Sequence, residues 1–481
     1  MARLVVVSNR VSLPRERVLR AGGLSVAVRE ALQRHGGIWF GWSGDVAQQP
    51  AAAPRIVTAG RTAYATIDLS QSDHDAYYNG FSNSTLWPLF HYRLGLIEFR
   101  RADLEGYRRV NAAIAAMLRP LLRPGDLVWV HDYHLIPIGE ELRKLGADQR
   151  IGFFLHTPFP AAAVFEALPA WERLLDSFAA YDLVGFQTES DLRAFRDAMS
   201  LAGAKAVTDA ALLHKGRTVR CGAFPIGIDT DQFAAMAAKA AATPETRRLH
   251  ESLAGRDLII GVDRLDYSKG LPNRLAAFGQ MLERHPETRN RLTLLQIAPR
   301  SRGDVAQYRT LRRTLDSLAG RINAKYAEVD WVPLRYLNKS VGRPVLAGYY
   351  RLAKIGLVTP LRDGMNLVAK EYVAAQDPDD PGVLVLSRFA GAARELSAAL
   401  IVNPYDEDGI AEALFAAHTM SRDERRSRWE AMMAALRANT VTFWRERYLA
   451  ALIAPAAEAD VLPARAFDDG ARMSAANVAA K

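Results

Sequence analysis

The sequence is almost without cysteine. Cys221 stands alone, so no intrachain disulfide can form, which fits a reducing compartment, and the expected location is the cytoplasm. No apolar run approaches the ~20 residues of a membrane span, so no membrane partner is expected. The apolar core of the first ten residues is too short for a signal peptide and reads as a first strand. Neither GxGxxG nor GxxxxGK[ST] occurs, so a dinucleotide fingerprint is not supported and a P-loop is excluded. Long Lys/Arg runs are missing too. The densest cluster, Arg422 to Arg428, is broken by Asp423 and Glu424 and reads as a solvated helix face. With the aromatic RNA-binding signature also absent, nucleic acid is not an expected partner.

What is present is a chain of 481 residues, long enough for two or three domains, with the 49% hydrophobic and 24% charged content of a soluble globular enzyme. Its net charge of +9 is carried mostly by arginine. With nucleic acid and membrane set aside, phosphorylated small molecules remain as the class of partner.

One stretch organises the rest: Ile355 to Gln376, IGLVTPLRDGMNLVAKEYVAAQ. Its apolar start reads as a buried parallel strand, Pro360 stops it, and Arg362-Asp363-Gly364 turns. From Asn366 the apolar residues recur at helical spacing. Strand, Gly-turn and helix aim backbone N–H groups and a positive helix end at a phosphate. Glu371, one turn in, could accept from sugar hydroxyls, as could Asp363 at the strand mouth. The alternative is an ordinary strand–helix joint with two solvated carboxylates.

Along the chain, strands are expected at Leu4–Val7, Leu127–Val130, Ile151–Leu155 and Leu183–Phe186. They end in Asn9-Arg10, His131-Asp132-Tyr133-His134, His156-Thr157 and Gln187-Thr188-Glu189. Residues 39 to 100 read as irregular and rich in aromatics. His131, Asp132 and His134 could be metal ligands, but strand-end residues alternate in direction. A hydrogen-bonding Asp with structural histidines is the reading kept, with no metal and no cofactor. Pro225 to Asp229 breaks the alternation. A second series follows with strands at Leu258–Val262, Leu292–Ala298, Val329–Val332, the central strand, Val383–Leu386 and Leu400–Val402. The fold class expected is α/β with two facing Rossmann-like domains. The boundaries are 1–228, 229–440, a helix at 441–455 packing back across the domains, and a mobile tail at 456–481. Arg264, Lys269 and the helix start near Asn366 suit a diphosphate, and Arg10 and Arg302 suit a second phosphate.

Together the segments VVVSNR, AGGLSVAV, WFGWSG, YYNGFSNSTLWPLFHYR, HDYHL, GFFLHTPFP, DRLDYSKG, SRGDV, AGRINAKY, TPLRDGMNLVAKEYVAAQ and LSRFAGAARELSAALIVNPYD resemble the trehalose-6-phosphate synthase family of retaining glycosyltransferases, of GT-B architecture. The resemblance covers nearly the whole chain to about residue 450. It implies transfer of glucose from UDP-glucose to glucose-6-phosphate, without a metal, by a homodimer or homotetramer serving trehalose biosynthesis and the osmotic stress response. It implies an acceptor site of Arg10, Tyr78, Trp87, Asp132 and Arg302. On the donor side it implies that Gly22 and Gly23 close over the donor, His156 contacts the donor sugar, and Arg264 and Lys269 hold the diphosphate. Asp363, with Gly364, Met365 and Asn366, would hold the glucose. Leu367 and Val368 would lie against the phosphates, Ala369 and Lys370 complete the run, and Glu371 takes the ribose. His156, Asp132, Arg264, Lys269 and Asp363 form the implied catalytic set. Val341, beside the nucleobase, Arg300 and Thr157 depart from the family pattern. A GDP- or ADP-glucose donor, or an acceptor such as glycerol-3-phosphate, stays open as an alternative.

Overall fold

The computed structural model describes residues 2–13, 28, 29, 31, 32, 36–300 and 306–454. Gly22, Gly23, Arg302 and the expected tail lie outside them.

The chain builds two sheets. The first contains β1 (Leu4–Arg10), β2 (Gly37–Val46), β3 (Arg55–Ala59), β4 (Thr62–Leu69), β5 (Leu127–His131), β6 (Arg150–Phe154), β7 (Leu183–Phe186), β8 (Lys205–Thr208), β9 (Ala211–His214) and β10 (Arg217–Ala223). Its order is β3-β4-β2-β1-β5-β6-β7-β10-β9-β8. The strands from β4 to β10 in that order are parallel, and antiparallel partners close both edges. The second contains β11 (Asp257–Val262), β12 (Leu292–Ile297), β13 (Leu334–Leu337), β14 (Ile355–Val358), β15 (Val383–Ser387) and β16 (Leu400–Val402), all parallel, in the order β13-β12-β11-β14-β15-β16. The inner strands are buried along their length, as strands covered by helices on both faces must be.

Strand order reverses direction between β1 and β5 in one sheet and between β11 and β14 in the other. Neighbouring connections there leave to opposite faces and open a crevice at the strands' C-terminal ends.

Two expectations fail. The strand expected at Val329–Val332 is a tight turn closed by a Glu328–Trp331 bridge, and the sixth strand is β13 instead. Val329 and Val332 are exposed there. Trp331 is the residue that turns inward, donating its indole N–H to the Leu292 carbonyl at 2.9 Å. Residues 39 to 100 are not irregular either: β2, β3 and β4 lie there, followed by a π-helix at His74–Leu86. The glycines that obscure β2 have a packing reason. A Cβ on Gly37 or Gly41 would run into the Leu4 or Ser8 carbonyl of the adjoining β1.

The chain crosses between the sheets near Pro225–Asp229 and again near Asn439, where the two passes touch. Val441 N–H donates to Ile228 O at 3.2 Å and Asn439 Nδ2 to Pro225 O at 3.1 Å. The final helix, Val441–Ile453, then lies on the first sheet. Tyr448 stacks on Trp129 at 4.7 Å between ring centres and donates to Phe153 O at 3.0 Å. Arg150 and Arg220 both donate to carbonyls of the last turn, cations where the helix dipole favours them.

Candidate active site

At the β1–β5 crevice, the end of β1 is locked by its own polar residues. Ser8 accepts from the Trp39 indole at 2.8 Å, and Asn9 accepts from Tyr77 at 2.8 Å. That fixes the exit of Arg10, whose guanidinium lies over Gly44, where a side chain would displace it. Tyr78 sits among the rings of Trp42, His74 and His134 at 5.4 to 5.8 Å. Asp132, directly after β5, has φ 75° and ψ 163°, a region nearly reserved for glycine. Such a residue costs on the order of 1–3 kcal/mol. Its carboxylate accepts from the His156 N–H at 3.2 Å, which ties the ends of β5 and β6 together.

Both ring nitrogens of His156 are engaged inside this lobe, Nε2 with His131 at 3.0 Å and Nδ1 with Gln187 at 3.2 Å. Burial pushes its pKa down to about 3, so the ring is neutral at physiological pH. At Gly364 it is the carbonyl of His156 that meets the other lobe. A Cβ on Gly364 would strike that oxygen, so only glycine allows this approach.

At the β11–β14 crevice, Asp263 and Arg274 form a buried ion pair at 2.8 Å, and Arg274 also donates to Thr359 and Gln296 at 3.0 Å. This brace carries the loop that holds Arg264, Asp266 and Lys269. Lys269 pairs with Asp363, which also accepts from Asn366 Nδ2 at 3.1 Å. Asn366 takes φ 74°, which asparagine tolerates, and its Oδ1 caps Ala369 N–H at 3.3 Å to open the helix Leu367–Ala375. The open end of that helix therefore points into the crevice beside Lys269.

The two crevices face each other. Trp87 of the first lobe donates its indole N–H to Asp266 of the second at 3.3 Å, and the Arg264 guanidinium lies 5.6 Å from the same ring. Arg362 covers Tyr92 at 3.8 Å. His91, buried beside Trp87, has its pKa pushed down to about 4, chiefly by burial.

Arg10, Tyr78, Trp87, Asp132, His156, Arg264, Lys269, Asp363, Gly364 and Asn366 thus lie at the two crevices. Lys370 does not present its side chain there. Its ammonium is buried against Glu395 at 2.6 Å and the Ile226 carbonyl at 2.8 Å, beside the interlobe crossing, because residue 370 falls on the inner face of the helix. Met365 and Ala369 are buried too. Glu371 is held by Arg343 at 3.2 Å, and burial raises its pKa against the pull of that arginine. Leu367, Val368 and Val341 pack partly exposed on the hydrophobic core. Among the described residues no group of three or more His, Cys, Asp or Glu could hold a metal ion.

Sequence reading missed Arg343, His91 and Arg362 as neighbours of the site. Their signals were only a lone arginine before a proline, a histidine among aromatics, and an arginine taken as part of a turn. Gln187 was legible as a strand-end residue but not as a partner of His156.

Two α/β lobes with polar groups gathered at facing switch points define a GT-B glycosyltransferase. The glycosyltransferase family 20 model matches residues 3–454, and the chain belongs to that family. It is 51% identical over 453 residues to the trehalose-6-phosphate synthase of Sinorhizobium fredii, spanning 93% of this chain and 98% of that one. An α,α-trehalose-phosphate synthase (UDP-forming) of Burkholderia xenovorans, solved in complex with glucose-6-phosphate, superposes with a TM-score of 0.91 at 50% identity, covering 94% of this chain and 100% of that one. An E. coli structure bound with UDP-2-fluoro glucose gives a TM-score of 0.89 at 48% identity, covering 94% and 99%.

Proposed function

We propose that this chain transfers glucose from UDP-glucose to glucose-6-phosphate, giving α,α-trehalose-6-phosphate and UDP. The observation that carries the proposal is the meeting of the lobes at one cleft, where Trp87 reaches Asp266 and lies under Arg264. An acceptor held by Arg10, Tyr78, Trp87, Asp132 and Arg302 then lies against a donor held by Arg264, Lys269, Asp363 and the helix end at Asn366.

The α configuration is retained. The bond from C1 to the β-phosphate oxygen breaks, and the acceptor oxygen bonds C1 on the same face. The leaving phosphate oxygen takes the acceptor's proton. Arg264, Lys269 and the helix end stabilise the charge that grows on the diphosphate, which is where preorganised cations act most strongly. The lobes act by positioning. Because these groups supply the positive charge, the reaction is proposed to need neither metal nor cofactor. A cytoplasmic homodimer or homotetramer with a part in the osmotic stress response is a further proposal, resting on the resemblance and the solitary Cys221.

The test is incubation of purified protein with UDP-, GDP- or ADP-glucose and either glucose-6-phosphate or glycerol-3-phosphate. The expected result is α,α-trehalose-6-phosphate with UDP release. Transfer to glycerol-3-phosphate alone, or no UDP release, overturns it.

A further inference from the structure

The orientation of one buried amide fixes the protons on two histidines. Gln187 Oε1 accepts the Ile226 N–H at 3.0 Å, so the end of the amide that faces His156 Nδ1 at 3.2 Å is the NH₂ group. That group can only donate. His156 Nδ1 must therefore be the bare nitrogen, and Nε2 carries the proton. Nε2 lies 3.0 Å from His131 Nδ1, which accepts from it, and His131 holds its own proton on Nε2. That last nitrogen is buried with no acceptor among the described residues. The chain is anchored at its other end too. The Ile226 carbonyl accepts from Lys370 Nζ at 2.8 Å, and Lys370 is paired with Glu395 at 2.6 Å in the crossing between the lobes. Gln187 is 2% exposed and cannot turn its amide over without breaking the contact to Ile226.

We propose that Gln187 is a positioning residue for His156: it imposes the tautomer in which the ring offers an N–H at Nε2 to a hydroxyl of the donor hexose, never a lone pair. The proposal rests on the reading of His156 as a donor-sugar contact in the reaction above. A hexose hydroxyl would take this N–H from His131, with no change of tautomer.

The test is nitrogen-15 NMR of the full chain, substrate-free, with the His156 ring assigned by its loss in His156→Phe. The expected wild-type spectrum has Nδ1 bare and Nε2 protonated. In Gln187→Glu the carboxylate keeps its bond from Ile226 but cannot donate to His156. Nδ1 should then gain the proton, and kcat should fall roughly 10- to 100-fold, the scale of a misplaced catalytic contact. UDP affinity by calorimetry should stay within about threefold, because the nucleotide pocket is untouched. A wild-type ring protonated on Nδ1 overturns the proposal, and needs no variant to fold. So does Gln187→Glu with Nδ1 protonated and kcat unchanged. A wild type that makes no glucosyl transfer overturns the underlying reaction. That failure is distinguishable, because the tautomer is read without substrate.

Discussion

Lys269→Ala separates charge pairing within the donor lobe from charge stabilisation of the reaction. In the wild type the ammonium faces Asp363, and the two side chains are only 10% and 15% exposed. Without it, Asp363 keeps Asn366 as its nearest donor at 3.1 Å. Breaking a buried ion pair from one side costs about 3–5 kcal/mol, and the residual exposure places this loss near the lower figure. The pH dependence has a definite sign. Burial works to raise the Asp363 pKa, but Lys269, His91 and Asn366 outweigh it and hold it below the ordinary carboxylate value. The pair thus contributes stability above the unfolded pKa of about 4, and that contribution is lost as pH falls through the depressed folded value. In the variant burial wins and the carboxyl shifts up. The stability deficit of Lys269→Ala should be largest near neutral pH and shrink as acid protonates Asp363, read as thermal melts across a pH series. Adding Asp363→Asn should recover most of the stability. Turnover should stay down by roughly 10²–10³-fold in both, since the leaving diphosphate still lacks its cation. A deficit that does not change with pH, or losses that add in the double variant, would refute the pairing argument. Wild-type turnover would refute the role in the reaction.

Arg264→Ala should also cut kcat by roughly 10²–10³-fold in the coupled UDP-release assay, while Trp87 keeps its bond to Asp266. Wild-type stability should fall as pH drops from about 6.5 to 4, because buried His91 stays neutral down to about 4 while the unfolded chain takes up the proton near 6.5. Its share near pH 5.5 is about 1.4 kcal/mol, and His91→Phe should flatten the melting curve by that amount. Activity should survive excess EDTA. Loss of activity restored by Mg²⁺ would bring a metal into the proposed site.

The second lobe was the more legible one. Its strands are short apolar runs such as LIIGV and VLVLS, each followed by a Gly- or Pro-marked loop, so period and punctuation agree. The first lobe was half-legible, because β2, which lies between β1 and β4, carries the glycines and tryptophans of close packing, and β4 carries threonines. Local pattern does not separate those from a loop. Val329–Val332 failed for the opposite reason. It has strand composition, but its valines face solvent and only its tryptophan reaches the core. The same distinction runs through the site. Arg10, Asp132, Arg264, Lys269 and Asp363 were readable because they stand at strand C-terminal ends or in the loops that leave them. The engagement of Lys370 with Glu395 and Ile226, 25 and 144 positions away along the chain, was not readable.

The position of the glycines and of the strained residue explains why two separate crevices make one site. Each crevice is set by its own sheet, at a switch point that needs no partner lobe. The approach of the lobes depends on backbone meeting backbone, at Gly364 against the His156 carbonyl. Side chains there would hold the lobes apart. Asp132 keeps its strained φ of 75° on the other wall, and its carboxylate holds the N–H of that same His156. The strain and the close approach therefore converge on a single peptide segment, His156-Thr157. Gln187, Ile226 and Lys370 connect that segment to the interlobe crossing. The interlobe crossing and the hydrogen bonds that orient His156 therefore meet at one residue, Ile226.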